Sequence, residues 1–271
     1  MFTTKIAFFL PLVCLIGFLP LKSVSQEFQA AEPIGGQKEL DEFLCNEMIY
    51  PEKASNTKTE GTVSMKFIVR ADGTTSVPVI THSVSADLDI EALRLFRMIL
   101  WKNALKMGKP VDSEMDLKVE FNLKKYKKQC KKRGFEDPED IGFPIDTSNM
   151  VYSMNEIDKS PEPTFEDGMN YSRFITQNLK YPETAFRQNI AGKVTLKFVV
   201  EPNGYISHMT VEEPLGGGCS QEAIRLAKMM KYRPGIRKGF AVRTWMNLSI
   251  TFRLPDSQDL QYIPTNPASA F

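Results

Sequence analysis

The sequence predicts an α+β protein built from two tandem copies of one small domain, each a three-stranded antiparallel sheet packed on helices. Three observations predict this: motifs recurring at one fixed offset, matched segments in which apolar and polar residues alternate, and a stretch of helical spacing set between those segments. Tyr50-Pro51-Glu52 recurs 131 residues on as Tyr181-Pro182-Glu183. The same offset carries Ala54 to Ala185, Gly61 to Gly192, Val63 to Val194, Phe67 to Phe198, Gly73 to Gly204, Glu91-Ala92 to Glu222-Ala223, Arg94 to Arg225 and Trp101 to Tyr232. It ends with Met115, Leu117, Phe121 and Leu123 on Met246, Leu248, Phe252 and Leu254, with no gap. Agreement of this extent marks a duplication.

Each copy opens with two helices. The first is expected over Gln37 to Met48 and Met169 to Leu179; the second is short and begins around Pro51 and Pro182, because proline suits a first helical turn. A strand with one buried face follows: Val63, Met65, Phe67 and Val69 alternate with Ser64, Lys66 and Ile68, and Val194, Leu196, Phe198 and Val200 do the same. Ala71-Asp72-Gly73 and Pro202-Asn203-Gly204 read as hairpin turns, where glycine accepts positive φ without steric cost. A second strand follows over Ser76 to His82 and Ile206 to Glu212. The period then changes: Leu88, Ala92, Leu95, Phe96 and Ile99 fall at helical spacing, as do Ala223, Leu226, Ala227 and Met230. A last alternating strand closes each copy, over Met115 to Leu123 and Met246 to Leu254. Each unit, at about 90 residues, buries roughly 60 to 65% of its unfolded surface, enough to fold alone. The expected domains are 33–123 and 164–254.

The flanking segments carry other signals. Lys5 followed by an apolar run from Ile6 to Leu21, then Ser23-Val24-Ser25, reads as an export signal over 1–25 cleaved before Gln26. An uncleaved anchor is the competing reading, disfavoured because a span needs roughly 20 apolar residues. Residues 124–163, basic from Lys124 to Arg133 and acidic at Glu136, Asp137, Glu139 and Asp140, read as a solvated charged linker whose charges neutralise each other, the alternative being that the basic run anchors to anionic lipid head groups. If flexible, the linker spans an r.m.s. distance of roughly 35 Å and leaves the domains free to orient independently. Residues 255–271 are proline-rich and polar, the composition of a disordered tail. Cys45, Cys130 and Cys219 remain after the signal, an odd number with no CxxC spacing, so neither a disulfide scaffold nor a zinc module is indicated.

Chemistry-bearing patterns are missing. The formal charge of +1 argues against a dedicated nucleic-acid binder. Of two histidines, His82 and His208, neither has a histidine at the matched position of the other copy. No HExxH, GxSxG, Walker loop or GxGxxG occurs. Gly216-Gly217-Gly218 lacks the Lys-Ser/Thr of a phosphate cradle and reads as a loop before a helix. Carboxylates read as scattered, with none paired at a site that both copies keep. The shared positions read as Gly, Pro and apolar residues, which describe a fold. No enzyme, metal, cofactor or small-molecule substrate is expected.

The assembled pattern runs Tyr-Pro-x-x-Ala, Gly-x-Val-x-x-x-Phe-x-Val, a turn glycine, a helix ending in an aromatic, then glycine and a terminal strand. It resembles the TonB C-terminal domain, of the kind found in energy-transducer TonB-like proteins of Bacteroidetes. The second copy is the nearer match, through Tyr181-Pro182, Gly192, Gly204 and Tyr232-Arg233-Pro234. The first carries Tyr50, Pro51, Gly61, Gly73 and Trp101 but has Asn103 in place of that proline, so its loop is expected to differ. Glu32-Pro33-Ile34-Gly35-Gly36 is similar to a lead-in of such proteins. The resemblance implies a periplasmic domain that captures a short receptor segment, the TonB box, as an added strand, in support of energy-dependent import by outer-membrane receptors.

Carried over residue by residue, the peptide-binding edge falls on Met246, Asn247, Leu248, Ser249, Ile250, Thr251, Phe252, Arg253 and Leu254. In the first copy it falls on Met115, Leu117, Val119 and Phe121. A terminal strand of this kind leaves main-chain groups free on its outer side. A transducer also needs membrane anchorage and a long arm, whereas about eight residues, roughly 25 Å fully extended, separate Ser25 from the first domain. The alternative is therefore a periplasmic adaptor, or a self-associating module that binds other envelope proteins without coupling to the proton gradient.

Overall fold

The computed structural model describes residues 28–133, 143–165 and 168–254. The expected export signal and the expected tail lie outside the described residues. Among the described residues no helix is long and apolar enough to cross a membrane.

In the first copy, α1 (Gly36–Glu47) turns Leu40, Phe43 and Glu47 inward, and α2 (Glu52–Asn56) starts at Pro51. Strand β1 (Gly61–Val69) lies between β2 (Val79–His82) and β3 (Ser113–Phe121), antiparallel to both. Its alternation buries Val63, Met65, Phe67 and Val69 under α3 (Ala86–Met98), whose N-terminus is capped by the Ser85 hydroxyl accepting from the Leu88 amide. The second copy repeats the plan with α5 (Tyr171–Asn178), α6 (Glu183–Arg187), β4 (Gly192–Val200), β5 (Ile206–Glu213), α7 (Cys219–Met229) and β6 (Phe240–Phe252). Here the order is β5-β4-β6. Helix α4 (Leu123–Arg133) lies between the copies.

Pairings that alternation alone does not show complete each copy. Glu32–Pro33 pairs with Trp101–Lys102, and Glu162–Thr164 with Lys231–Arg233, so a lead-in segment covers the aromatic corner of both sheets. The hairpin of Ala104–Lys106 and Lys109–Val111 also takes Phe28–Gln29 on its outer side. Its counterpart, Gly235–Arg237 with Phe240–Val242, runs straight on into β6, so β6 begins six residues before the expected Met246.

The segment 124–163 departs from the expected free linker. Helix α4 follows β3 almost directly and packs on α1: Gln129 Nε2 donates to Asn46 Oδ1 (2.6 Å), Tyr126 lies 5.4 Å from Tyr50 and Cys130 is buried. Farther on, Val151–Tyr152 adds to β6 in parallel at Arg243 and Thr244, and the Ala241 amide donates to the Pro144 carbonyl (2.8 Å). An apolar stripe within the basic run (Leu123, Tyr126, Cys130) explains the helix.

The two copies contact each other directly, which also departs from independent orientation. Helix α1 lies against β5, where a bulge sets His208 at φ 53°. Its ring is 5.0 Å from Phe43, and its Nε2 accepts from the Leu100 amide (3.1 Å). The neutral tautomer therefore carries its proton on Nδ1, facing Ser207 Oγ (2.7 Å), which donates to Glu201. Glu201 is held bidentately by Arg243, both contacts at 2.8 Å. From α1, Glu47 Oε1 accepts from Asn203 (2.7 Å), while Glu39 and Glu42 take the Lys228 ammonium.

Burial, and then the nearby Glu201 charge, raise the Glu47 carboxyl to about 7. Its folded value lies above the unfolded one, so its contribution is complete in acid and is lost as pH rises through about 7. Burial lowers His208 to about 4, so its contribution has the opposite sign: it is present above the ordinary histidine range and lost as pH falls toward about 4. Because His208 offsets Glu47 below about pH 6.5, the wild-type melting temperature should fall as pH rises through about 7, and Glu47→Gln should remove that fall. An unchanged slope in the folded variant would contradict the assignment.

Candidate functional site

The motif residues form a frame that repeats in both copies. The Tyr50 hydroxyl donates to the Thr59 carbonyl and the Tyr181 hydroxyl to the Ile190 carbonyl, each at 2.6 Å, closing the turn that delivers the central strand. Pro51 and Pro182 precede the short helices, and Gly61 and Gly192 begin β1 and β4. Gly204 needs its missing side chain, since φ is +80° and a Cβ there would come within 2.4 Å of the Tyr232 carbonyl oxygen. Gly73 faces the Trp101 carbonyl in the same way. Trp101 packs 4.9 Å from Phe67 and Tyr232 5.5 Å from Phe198, while Pro234 ends the Lys231–Arg233 strand. These residues hold the sheet; none lies on its open edge.

A further pair belongs to this frame and corrects the reading of the carboxylates as scattered. Glu91 is buried on α3, where it accepts from the Ile49 amide (2.8 Å) and holds Arg94, which donates to the Glu47 carbonyl (2.6 Å). Glu222 accepts from the Lys180 amide (2.6 Å) and holds Arg225, which donates to the Asn178 carbonyl (2.6 Å). Both copies thus tie the end of the first helix to the main helix with one carboxylate and one guanidinium. Both residues recur at the repeat offset, which is the signal that could have found the pair.

The predicted edge residues fall on the terminal strands. β3 is the outermost strand of its sheet, with Leu117, Val119 and Phe121 buried, Met115 half-buried, and Glu114, Asp116, Lys118 and Glu120 exposed. All nine of its residues pair with β1, and among the described residues no strand pairs with its other side. On β6, Phe240 to Thr244 are covered by Gly235–Arg237 and Val151–Tyr152. From Trp245 to Phe252 the strand pairs with β4 alone. Leu248, Ile250 and Phe252 point into the core, Met246 is half-buried, and Asn247, Ser249 and Thr251 are exposed. Arg253 and Leu254 lie beyond the strand.

The register shows which main-chain groups face outward. Ser249 lies opposite Thr195, their side chains touching at 3.1 Å, and the Ser249 carbonyl accepts from the Tyr171 hydroxyl (3.0 Å). A carbonyl reached from α5 belongs to a non-hydrogen-bonded pair, whose residues turn N–H and C=O away from the ladder. The alternation then puts Asn247, Ser249 and Thr251 outward on β6 and, through the repeat, Asp116, Lys118 and Glu120 outward on β3. Such a row can pair with an extended chain. Among the described residues, no group of three or more His, Cys, Asp or Glu could hold a metal.

The family model for the Gram-negative bacterial TonB protein C-terminal matches residues 46–123 and 177–254, more than half of the chain. This chain belongs to that family and carries its domain twice. A solved structure, the solution NMR structure of Pseudomonas aeruginosa TonB CTD, is similar at 20% identity and a TM-score of 0.27, covering 38% of this chain and 94% of that one. Comparison with curated proteins finds no match.

Removing Glu222 leaves the Lys180 amide without its acceptor and Arg225 without its carboxylate. Glu222→Ala, and likewise Glu91→Ala, should therefore cost about 3 kcal/mol in urea unfolding. Arg225→Ala should cost about as much, because it strands the Glu222 carboxylate, whose side chain is 9% exposed. A loss below about 1 kcal/mol from either variant would contradict this reading of the clamp.

Proposed function

We propose that this TonB C-terminal family member binds extended peptide segments by strand addition to β3 and to the second half of β6, and that it catalyses no reaction. The observation that carries the reading is that β3 and the second half of β6 are paired on one side and, among the described residues, have no strand partner on the other. The ligand class is the TonB-box type of segment on outer-membrane receptors, and the setting is the periplasm in support of energy-dependent transport. These follow from family membership together with the expected export segment.

The energetics suit a weak, repeated contact. About six main-chain hydrogen bonds at roughly 1 kcal/mol net each barely exceed the cost of association at one edge. Two edges in one chain raise the local concentration for a partner with two segments. The edges are not equivalent. β3 offers its full length with charged side chains at Glu114, Asp116, Lys118 and Glu120, three of them acidic. β6 offers a shorter polar row in which the Tyr171 hydroxyl already takes one acceptor, so an incoming strand displaces that hydroxyl at Ser249.

Proline at an outward position removes an edge donor and leaves the inner ladder intact. Ser249→Pro should weaken binding of a fluorescent synthetic TonB-box peptide about tenfold at the β6 edge, Lys118→Pro should do the same at β3, and the double variant should abolish it. The test is anisotropy titration of variants whose circular dichroism is native. A folded double variant that binds as the wild type does would overturn the site. Loss of self-association in place of peptide binding would identify the edges as a contact between copies of this chain.

A further inference from the structure

The basic helix α4 is not absorbed by strand addition. From Leu123 to Arg133 it carries seven cationic side chains and no acidic one. Leu123, Tyr126 and Cys130 form the stripe turned toward α1 and Tyr50. Lys124, Lys127, Lys128 and Lys131 form a second stripe at spacings of three and four, all exposed. Seven residues of helix place these four ammoniums along about 10 Å. Lys58, exposed on the turn after α2 at φ 53°, faces them across an open cleft also lined by Ser55, Glu60 and Leu123.

The stripe is costly to the fold that bears it. Like charges three and four apart on a helix repel by a few tenths of a kcal/mol per pair, and Lys124 and Lys125 stand in a first turn where the helix dipole disfavours cations. Lys125 is compensated by Glu120 (2.7 Å). The one carboxylate in the cleft, Glu60, uses Oε1 to accept from the Leu123 amide (2.7 Å). Among the described residues no ion pair reaches Lys58, Lys124, Lys127, Lys128 or Lys131.

The second copy shows that the repeated domain does not require this stripe. Pro255, Gln258, Asp259 and Tyr262 stand at the offsets of Lys124, Lys127, Lys128 and Lys131. The stripe begins where the repeated pattern ends, at Leu123, so it breaks local rules without being part of the duplicated fold, which points to a use outside it.

We infer that the Lys58 and α4 lysine face is a docking surface for an anionic phospholipid bilayer, contacted through lipid phosphates. The shape favours a surface over a discrete anion: the ammoniums form an open row, and no buried donors converge on one point. A clustered basic face on an amphipathic helix is the chemistry that anionic headgroups attract. Docking would hold the first copy at a membrane while β3 and β6 remain a separate function, so this inference does not rest on peptide capture.

The full chain should be floated with vesicles of phosphatidylcholine alone and of phosphatidylcholine with phosphatidylglycerol. The N-terminal apolar segment is common to both measurements, and the difference between them reads the lysine face. Phosphatidylglycerol should increase binding; Lys124→Gln, Lys127→Gln, Lys128→Gln and Lys131→Gln should each reduce that increase about fivefold, and the fourfold variant that combines them should abolish it, with steep loss in salt. The four positions are exposed, so native circular dichroism is expected and is checked in parallel. Lys102→Gln, Lys106→Gln and Lys109→Gln, which remove another basic group of the same copy, should leave the increase unchanged.

The inference is overturned if phosphatidylglycerol adds nothing, if the fourfold variant keeps the increase, or if the control variant loses as much. It is also overturned if inorganic phosphate at equal ionic strength abolishes binding, which would indicate a discrete anion site. Tight binding to heparin with none to vesicles would assign the face to a soluble polyanion and would likewise overturn it.

Discussion

The antiparallel ladder between the central and terminal strand of each copy is the constraint on which the rest depends. Nine consecutive pairs join β1 to β3, and nine join β4 to β6. A period of two side chains is locked to that register, so burying Val119 and Phe121, or Ile250 and Phe252, decides which main-chain groups are consumed and which are left over. A slip of one residue would turn the apolar side chains to solvent and the outward amides inward together. The open edge is therefore a consequence of core burial, and every polar group it exposes was specified by an apolar neighbour.

The duplication did not yield two equal domains. At positions matched by the repeat, Arg70 and Asp112 of the first copy stand where Glu201 and Arg243 stand in the second, with the charges exchanged. In the first copy these two act locally: Arg70 donates to the Thr75 carbonyl (2.7 Å) and Asp112 accepts from the Ala71 amide (2.9 Å). In the second they form a buried bidentate pair that continues through Ser207 and His208 into the other copy. A buried pair of this kind adds little net stability against an apolar replacement, but losing one partner is expensive. Its effect here is to fix the Ser207 hydroxyl that aims His208 at the Leu100 amide, while burial, against the pull of the Glu201 charge, keeps the ring neutral. The contact between the copies thus rests on polar specificity around Phe43, and burial makes it sensitive to proton uptake in both directions.

Much of this was legible in the residues, for physical reasons that can be named. Alternation over Val63 to Val69 and Val194 to Val200, helical spacing around Leu95 and Leu226, and glycine at the tight turns reflect burial periodicity and steric freedom, which act locally. The Glu91–Arg94 and Glu222–Arg225 pairs were also in view, because repetition of charge at one offset is as informative as repetition of leucine; reading the shared positions as Gly, Pro and apolar residues hid them. The packing of α4 was obscured because its run of lysines dominates the composition while the stripe that buries it is sparse. The contact of α1 with β5 and the addition of Val151–Tyr152 to β6 had no local signal, since both join segments far apart in sequence through surfaces that no repeat pattern encodes.

The central claim is that Asp116, Lys118, Asn247 and Ser249 present outward main-chain amides which a guest strand takes up. Amide hydrogen exchange on the full chain, with and without a TonB-box peptide, reads this directly. The account predicts fast exchange at these four positions in the free chain and slowing at them when the peptide binds, with the inward Leu117, Val119, Leu248 and Ile250 slow in both states. Four amides already protected in the free chain, or unchanged while the peptide is bound, would contradict it.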